Sequence, residues 1–227
     1  MHEIIKKAKQ EKRNLLEHEA LELLKEYNIP VPKNILARDA EEAVAAARKI
    51  KYPVVLKVVS KDILHKSDIG GVKIGLNSEK EVVNAYEEIM DNVNLKASGA
   101  DIEGVLVVEN AKKGLECIVG MVRDPQLGPA LMFGLGGIFV ELLEDVSFNL
   151  LPIHRDEALE MVKSTKGYKL IKGYRGEKAK DIESIVDLII KVGKLVEENE
   201  EINEIDINPF FVYEEGLITI DARVIIE

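Results

Sequence analysis

The chain is predicted to be an α+β protein built as two lobes, and three observations point there. Segments with helical periodicity and segments with strand character mix along the chain without strict βαβ alternation, which disfavours a doubly wound parallel sheet. The 227 residues correspond to one to one and a half domains of about 150 residues each. Hydrophobic residues make up 46%, enough for a packed core rather than a disordered chain. There is no internal repeat and no low-complexity linker.

The elements follow in order. Leu16, Ala20, Leu23, Leu24 and Tyr27 recur at helical spacing, and Asn28-Ile29-Pro30 ends a helix expected over 11–27. Asp39, with Glu42 three residues on, opens an Ala-rich helix that ends near Ile50. Val54–Val59 reads as a buried strand interrupted by Lys57, and Val72–Leu76 as a second strand after a loop at 60–68 and the pair Gly70-Gly71. Ser78 and Glu81 form a capping box for a helix through Met90. Strands are expected at Val105–Val108, Leu115–Val122 and Pro129–Phe133, the last running into the glycine-rich turn Gly134–Gly137. Helices follow at Asp156–Lys163 and Ile182–Glu198. The chain closes with strands at Ile205–Tyr213 and Leu217–Ile226, joined by Glu214-Glu215-Gly216.

Charge bounds the function. Thirty-one basic residues stand against 41 acidic, a net of −10, which argues against nucleic-acid and anionic-membrane partners. From Glu197 to Glu227 ten acidic residues face one basic, so most of the surplus lies at one end. A single cysteine, Cys117, cannot form an internal disulfide, and no apolar run approaches the ~18 residues of a membrane span. A cytoplasmic protein is expected.

Several residues could carry chemistry. Lys57 shares a strand face with Val55 and Val59, and an ammonium on a largely apolar strand is costly unless it meets an anion. Taken alone it reads first as a lysine snorkelling at a strand edge, and only second as a phosphate contact. The segment 60–73 adds His65, Lys61, Lys66, Lys73 and the two glycines, a set that suits an anion-binding loop as well as an ordinary turn. An imidazole titrating near neutrality is a usable phosphoryl acceptor or proton carrier. Its alternative is a surface histidine.

The closing strands allow a geometric inference. If Glu214 pairs with Leu217, paired residue numbers sum to 431, and Phe210 faces Asp221. Asn208 then lies diagonally across from Asp221 on one face, and this carboxylate and amide oxygen suit Mg²⁺. Glu109 and Glu116 could accept hydrogen bonds from an adenine amine or ribose hydroxyls, or could simply be solvent-facing. Lys163–Lys180 holds seven basic residues and one acidic, and reads as a mobile phosphate-attracting loop around Arg175, a partner-docking surface or simply a solvated loop. Neither a Rossmann fingerprint nor a P-loop is present.

In order along the chain, PVVLKVVS, LHKSDIGGVKIGL, VLVVEN, GLECIVG, VRDPQLGPALMFGLGGIFVELLEDVSF, GYRG and EIDINPFFV with ITIDARV resemble the ATP-grasp subunit of NDP-forming acyl-CoA synthetases, and most the acetyl type. The resemblance implies an ATP-grasp fold over 1–227, two α+β lobes clasping a nucleotide. The first lobe would span 28–106 with the phosphate lysine and histidine loop. The second would span 107–227 with the nucleotide and Mg²⁺ site, and helix 11–27 would pack on it. It implies Lys57 as phosphate-binding, Glu109 and Glu116 as adenine-side and ribose- or metal-side acids, and Gly70, Gly71, Gly136 and Gly137 as phosphate-binding turns. Asn208 and Asp221 become the Mg²⁺ ligands. His65 matches the histidine that passes a phosphoryl group to ADP on a loop able to swing. Arg123, Glu141 and Arg175 receive no definite role.

The implied reaction is acyl-CoA + ADP + phosphate ⇌ acid + CoA + ATP, with a CoA-binding α subunit as partner in an α2β2 assembly. Succinyl-CoA synthetase β subunits share these motifs but continue into a further C-terminal domain, whereas here six residues follow Asp221. That difference, with LHKSD in the loop, favours the acetyl type. A stand-alone carboxylate ligase and a non-catalytic nucleotide sensor remain the alternatives.

Overall fold

The computed structural model describes residues 2–63, 65–137 and 144–226. Glu141 therefore lies outside the described residues. Contacts divide the chain into two compact units. The smaller comprises Leu16–His18 and Pro32–Lys112; the larger comprises Met1–Leu15, Glu19–Val31 and Lys113–Glu227. A boundary at 106/107 would cut through a strand, Ile102–Glu109.

The smaller unit is a four-stranded antiparallel sheet backed by two helices. Its strands are β1 (Asn34–Ala37), β2 (Val54–Ser60), β3 (Val72–Leu76) and β4 (Ile102–Glu109), in the order β1-β4-β2-β3. Helices α3 (Ala40–Ile50) and α4 (Glu79–Lys96) begin where the sequence places their caps. The Asp39 side chain accepts from the Glu42 amide at 2.7 Å, and Ser78 Oγ accepts from the Glu81 amide at 3.3 Å. Each cap satisfies an amide that the first helical turn leaves unpaired. Ala43, Ala47, Ile50, Val82 and Ile89 from these helices meet Leu56, Val58, Val105 and Val107 in one buried core. Burying each of the larger side chains contributes about 1.5–3 kcal/mol.

The larger unit is a six-stranded antiparallel sheet. Its strands are β5 (Leu115–Asp124), β6 (Gly128–Leu135), β7 (Val146–Leu150), β8 (Ile202–Val212), β9 (Leu217–Thr219) and β10 (Ala222–Ile226). The order is β10-β8-β5-β6-β7, with β9 also paired to β8. Helices α5 (Arg155–Ser164) and α7 (Ile182–Glu198) pack on each other and on β6, with the one-turn α6 (Tyr168–Ile171) beside α5. The apolar stripe of α7, with Ile185, Leu188, Ile189, Val192 and Val196, is buried. Cys117, in β5, is also buried, and burial pushes its thiol far above the ordinary value.

The expected single N-terminal helix over 11–27 is instead two, α1 (Glu3–Gln10) and α2 (Glu17–Glu26). Lys12 between them takes a left-handed backbone, φ 52°. Arg13 fixes the bend by donating to both carboxylate oxygens of Glu19, at 2.6 and 2.7 Å. Among the described residues no helix is long and apolar enough to cross a membrane.

Candidate active site

In the smaller unit, alternation along β2 sends Val54, Leu56 and Val58 into the core and leaves Lys57 on the opposite face. Lys57 is only 6% exposed, and Glu17 Oε1 receives its ammonium at 2.6 Å. The second oxygen of Glu17 takes the ammonium of Lys66. Burial raises the carboxyl pKa of Glu17, but the two ammonium charges and their hydrogen bonds outweigh it and hold Glu17 below the usual carboxylate range. Glu17 went unnoticed in the sequence because its partners lie 40 and 49 residues away.

His65 is exposed. It sits between Ile63, buried in the unit's core, and Lys66, held by Glu17. The turn that follows is closed by its own backbone. The Gly71 amide donates to the Lys66 carbonyl at 2.8 Å, the Gly70 amide to the Ser67 carbonyl at 3.0 Å, and the Val58 amide to the Gly71 carbonyl at 2.8 Å. Gly70 takes φ +74°, and a Cβ on Gly71 would stand 2.6 Å from the Val58 side chain. Both glycines are thus required by the turn, and in this arrangement neither amide is free for a phosphate. The other lysines of this stretch are also paired, Lys61 with Asp101 at 2.8 Å and Lys73 with Glu88. Glu109, half-buried at the end of β4, accepts from the Lys33 amide at 3.4 Å and faces its ammonium at 3.9 Å.

In the larger unit, Glu116 and the turn at Gly136-Gly137 come together. The Gly136 amide donates to the Glu116 carbonyl at 2.8 Å. A Cβ on Gly136 would stand 3.2 Å from Glu116 Cβ, and one on Gly137, at φ +62°, would stand 3.1 Å from Glu116 Oε2. The glycines therefore leave room beside the half-buried carboxylate. Lys113 approaches that carboxylate to 3.7 Å.

The expected register of the closing strands is off by two. Val212 pairs with Leu217 and Phe210 with Thr219, so paired numbers sum to 429 rather than 431. The cause is the turn: Tyr213 donates to the Gly216 carbonyl at 3.0 Å, and Gly216 adopts φ +75°. An even shift preserves faces. Asn208 now stands directly opposite Asp221, with its amide donating to the Asp221 carbonyl at 3.2 Å.

The corrected register also introduces Asp206, which pairs with Arg223 and lies diagonal to Asp221 on the same face. Burial raises the pKa of Asp206, and the negative charges of Glu204 and Asp221 raise it further, against Arg223 and a hydrogen bond from Asn208. Two crowded carboxylates beside an exposed amide oxygen fit a hard divalent cation. Among the described residues, no group of three or more His, Cys, Asp and Glu side chains is arranged to hold a metal.

Two residues without an assigned role are now placed. Arg123 donates to the Ile202 carbonyl at 3.1 Å and reaches the Val196 carbonyl at the end of α7, so it braces the sheet against that helix. Arg175 is exposed, with its guanidinium 5.3 Å from the ring centre of Tyr174.

These two folded units match a known class. The model of the ATP-grasp domain covers residues 6–226, and the chain belongs to the ATP-grasp family. It is 53% identical to ADP-forming acetate–CoA ligase I subunit beta of Pyrococcus furiosus, over 99% of this chain and 97% of that one. Within the ATP-grasp family it therefore belongs with the β subunits of ADP-forming acetate–CoA ligases. It is 46% identical to ADP-forming acetate–CoA ligase I of Archaeoglobus fulgidus over 99% of this chain, but spans only 33% of that longer one. Among solved structures, acetyl-coenzyme A synthetase 1 of Ca. Korarchaeum cryptofilum with coenzyme A, Ca-AMPCP and HgCl+ superposes at a TM-score of 0.97, with 50% identity and 99% of each chain covered. The same enzyme has been solved with coenzyme A, acetyl-coenzyme A and a phosphorylated phosphohistidine segment; that structure matches at a TM-score of 0.92, with 48% identity and 99% of each chain covered.

Proposed function

We propose that this chain is the nucleotide-binding subunit of an ADP-forming acetyl-CoA synthetase and that it carries a phosphoryl group on His65 to ADP. The overall reaction is acyl-CoA + ADP + phosphate ⇌ acid + CoA + ATP. The observation that carries this reading is the exposed imidazole of His65, set on a short span between a core residue and a buried lysine–glutamate cluster. The end-to-end likeness to the Pyrococcus subunit and the phosphohistidine segment of the Korarchaeum enzyme support it.

In the transfer, the P–N bond to the imidazole breaks as a P–O bond forms to a terminal oxygen of the ADP β-phosphate. The electron pair of the broken bond returns to the ring nitrogen, and with a proton on the other ring nitrogen the imidazole leaves neutral. Charge spreads over the equatorial oxygens of the moving group, so the protein works by positioning and charge neutralisation. Lys57 supplies a fixed positive charge to phosphate. Asn208 and Asp221, with Asp206 beside them, would hold Mg²⁺, which offsets phosphate charge when bound. Glu109 and Glu116 offer acceptors to adenine and ribose. The partner is a CoA-binding α subunit in an α2β2 assembly in the cytoplasm.

The test is ATP synthesis from acetyl-CoA, ADP and phosphate by the chain reconstituted with that subunit. His65→Asn is expected to abolish synthesis while keeping Mg-ADP binding by calorimetry. Turnover at the wild-type rate in this variant overturns the role of His65.

A further inference from the structure

Lys66 follows His65 directly, and its ammonium sits on the same buried carboxylate that receives Lys57. Consecutive Cα atoms are about 3.8 Å apart, so the His65 backbone is tethered at that distance to a residue held by Glu17. On the other side Ile63, 7% exposed, is packed in the core, leaving two residues between the anchors. The segment before Ile63 is fixed as well: Ser60 Oγ donates to the Asp101 carbonyl at 2.7 Å, and Asp62 accepts from the Asp101 amide at 2.8 Å. A histidine that must travel cannot go far while both anchors hold. Of the two, an ion pair can open without exposing apolar surface, because water and a phosphoryl anion can take over its charges.

We propose that Glu17 is a positioning residue, which latches the His65 segment through Lys66 and aims Lys57, and that the latch opens when His65 moves. The proposal rests on the reading of His65 as the phosphoryl carrier. Two ammonium groups share the one carboxylate of Glu17, Lys57 on one oxygen and Lys66 on the other. A phosphoryl group on His65 would compete with Glu17 for the neighbouring Lys66 ammonium, loosening Lys66 from Glu17 while Lys57 keeps that carboxylate. Loading of the histidine and release of its tether would thus be coupled through one carboxylate.

Two variants test this in the reconstituted complex. Lys66→Ala removes the latch and spares the Glu17–Lys57 pair, whereas Glu17→Gln removes both and can destabilise the unit by stranding a buried lysine. Hydrogen exchange over residues 61–71 is expected to quicken about tenfold in Lys66→Ala. In the same variant kcat is expected to fall about tenfold, with KM for ADP within about twofold of wild type. Lys66→Arg should restore both. Exchange and kcat unchanged in Lys66→Ala overturn the latch alone, provided the wild type forms acid-labile phosphohistidine. A wild type that forms none overturns the reading of His65, and with it the role of the latch in transfer.

Discussion

Asp206 carries its charge at a cost, because burial and the carboxylates of Glu204 and Asp221 all favour its neutral form. A carboxyl group whose folded pKa is raised stabilises the fold below its unfolded value, and that contribution is lost as pH rises through the folded pKa. At neutral pH without Mg²⁺ the ionised side chain therefore opposes folding. Asp206→Asn is expected to raise the metal-free melting temperature at pH 7 by about 2 °C, an effect damped by solvent access. The gain should shrink as pH falls toward 4, and Mg²⁺ should stabilise the wild type more than the variant. A lower melting temperature in the variant at pH 7 would contradict this account. Asp206 was illegible in the sequence for one reason: with numbers summing to 431 it faces position 225, and only the sum of 429 brings it next to Asp221. The pair Asn208 and Asp221 was legible because an error of two leaves the sheet faces unchanged.

Elements with strong local signals were readable, and the edge strands β1 and β7 were not. Caps at Asp39 and Ser78 declare α3 and α4, and the stripe of α7 declares its whole length. Strands β1 and β7, of four and five residues, have no such signal. They exist because β4 and β6 offer them open edges, a tertiary cause that no local window contains. The β1–β4 contact makes its own demand at Gly104, which takes φ +154° and where a Cβ would run into the Ala37 carbonyl oxygen. Gly104→Ala is expected to cost about 1–3 kcal/mol by overpacking, read as a lower denaturant midpoint. Gly128 makes a control, since its φ is +81° but no atom lies within 4 Å of an added Cβ. Equal losses at the two positions would remove the steric explanation.

For the whole molecule, the net of −10 is divided unevenly. Lys57, Lys61, Lys66 and Lys73 suggest a positive stretch ready for phosphates, yet all four are paired within their own unit, Lys57 and Lys66 sharing Glu17. Those partners lie far away in sequence, so the count of lysines was legible and their pairing was not. The two units should respond oppositely to acid. Glu17 has a folded pKa below its ordinary 4.5, so its stabilising contribution is present above 4.5 and lost as pH falls through the folded value. Asp206, with its raised pKa, is relieved over the same range. Acidification from pH 6 to 3 is expected to weaken hydrogen-exchange protection of β2 before that of β8. Loss in the reverse order would show that other groups govern acid stability.

The placement of Cys117 has a practical side. It is the only cysteine in the chain, and its thiol is buried in β5 and held protonated. Maleimides and nitroxides react with exposed thiolates, so the native chain is nearly silent toward them. A single cysteine installed at Ser67, two residues from His65, would thus carry a fluorophore or spin label against almost no background, and report the travel of that segment during turnover as a signal in time.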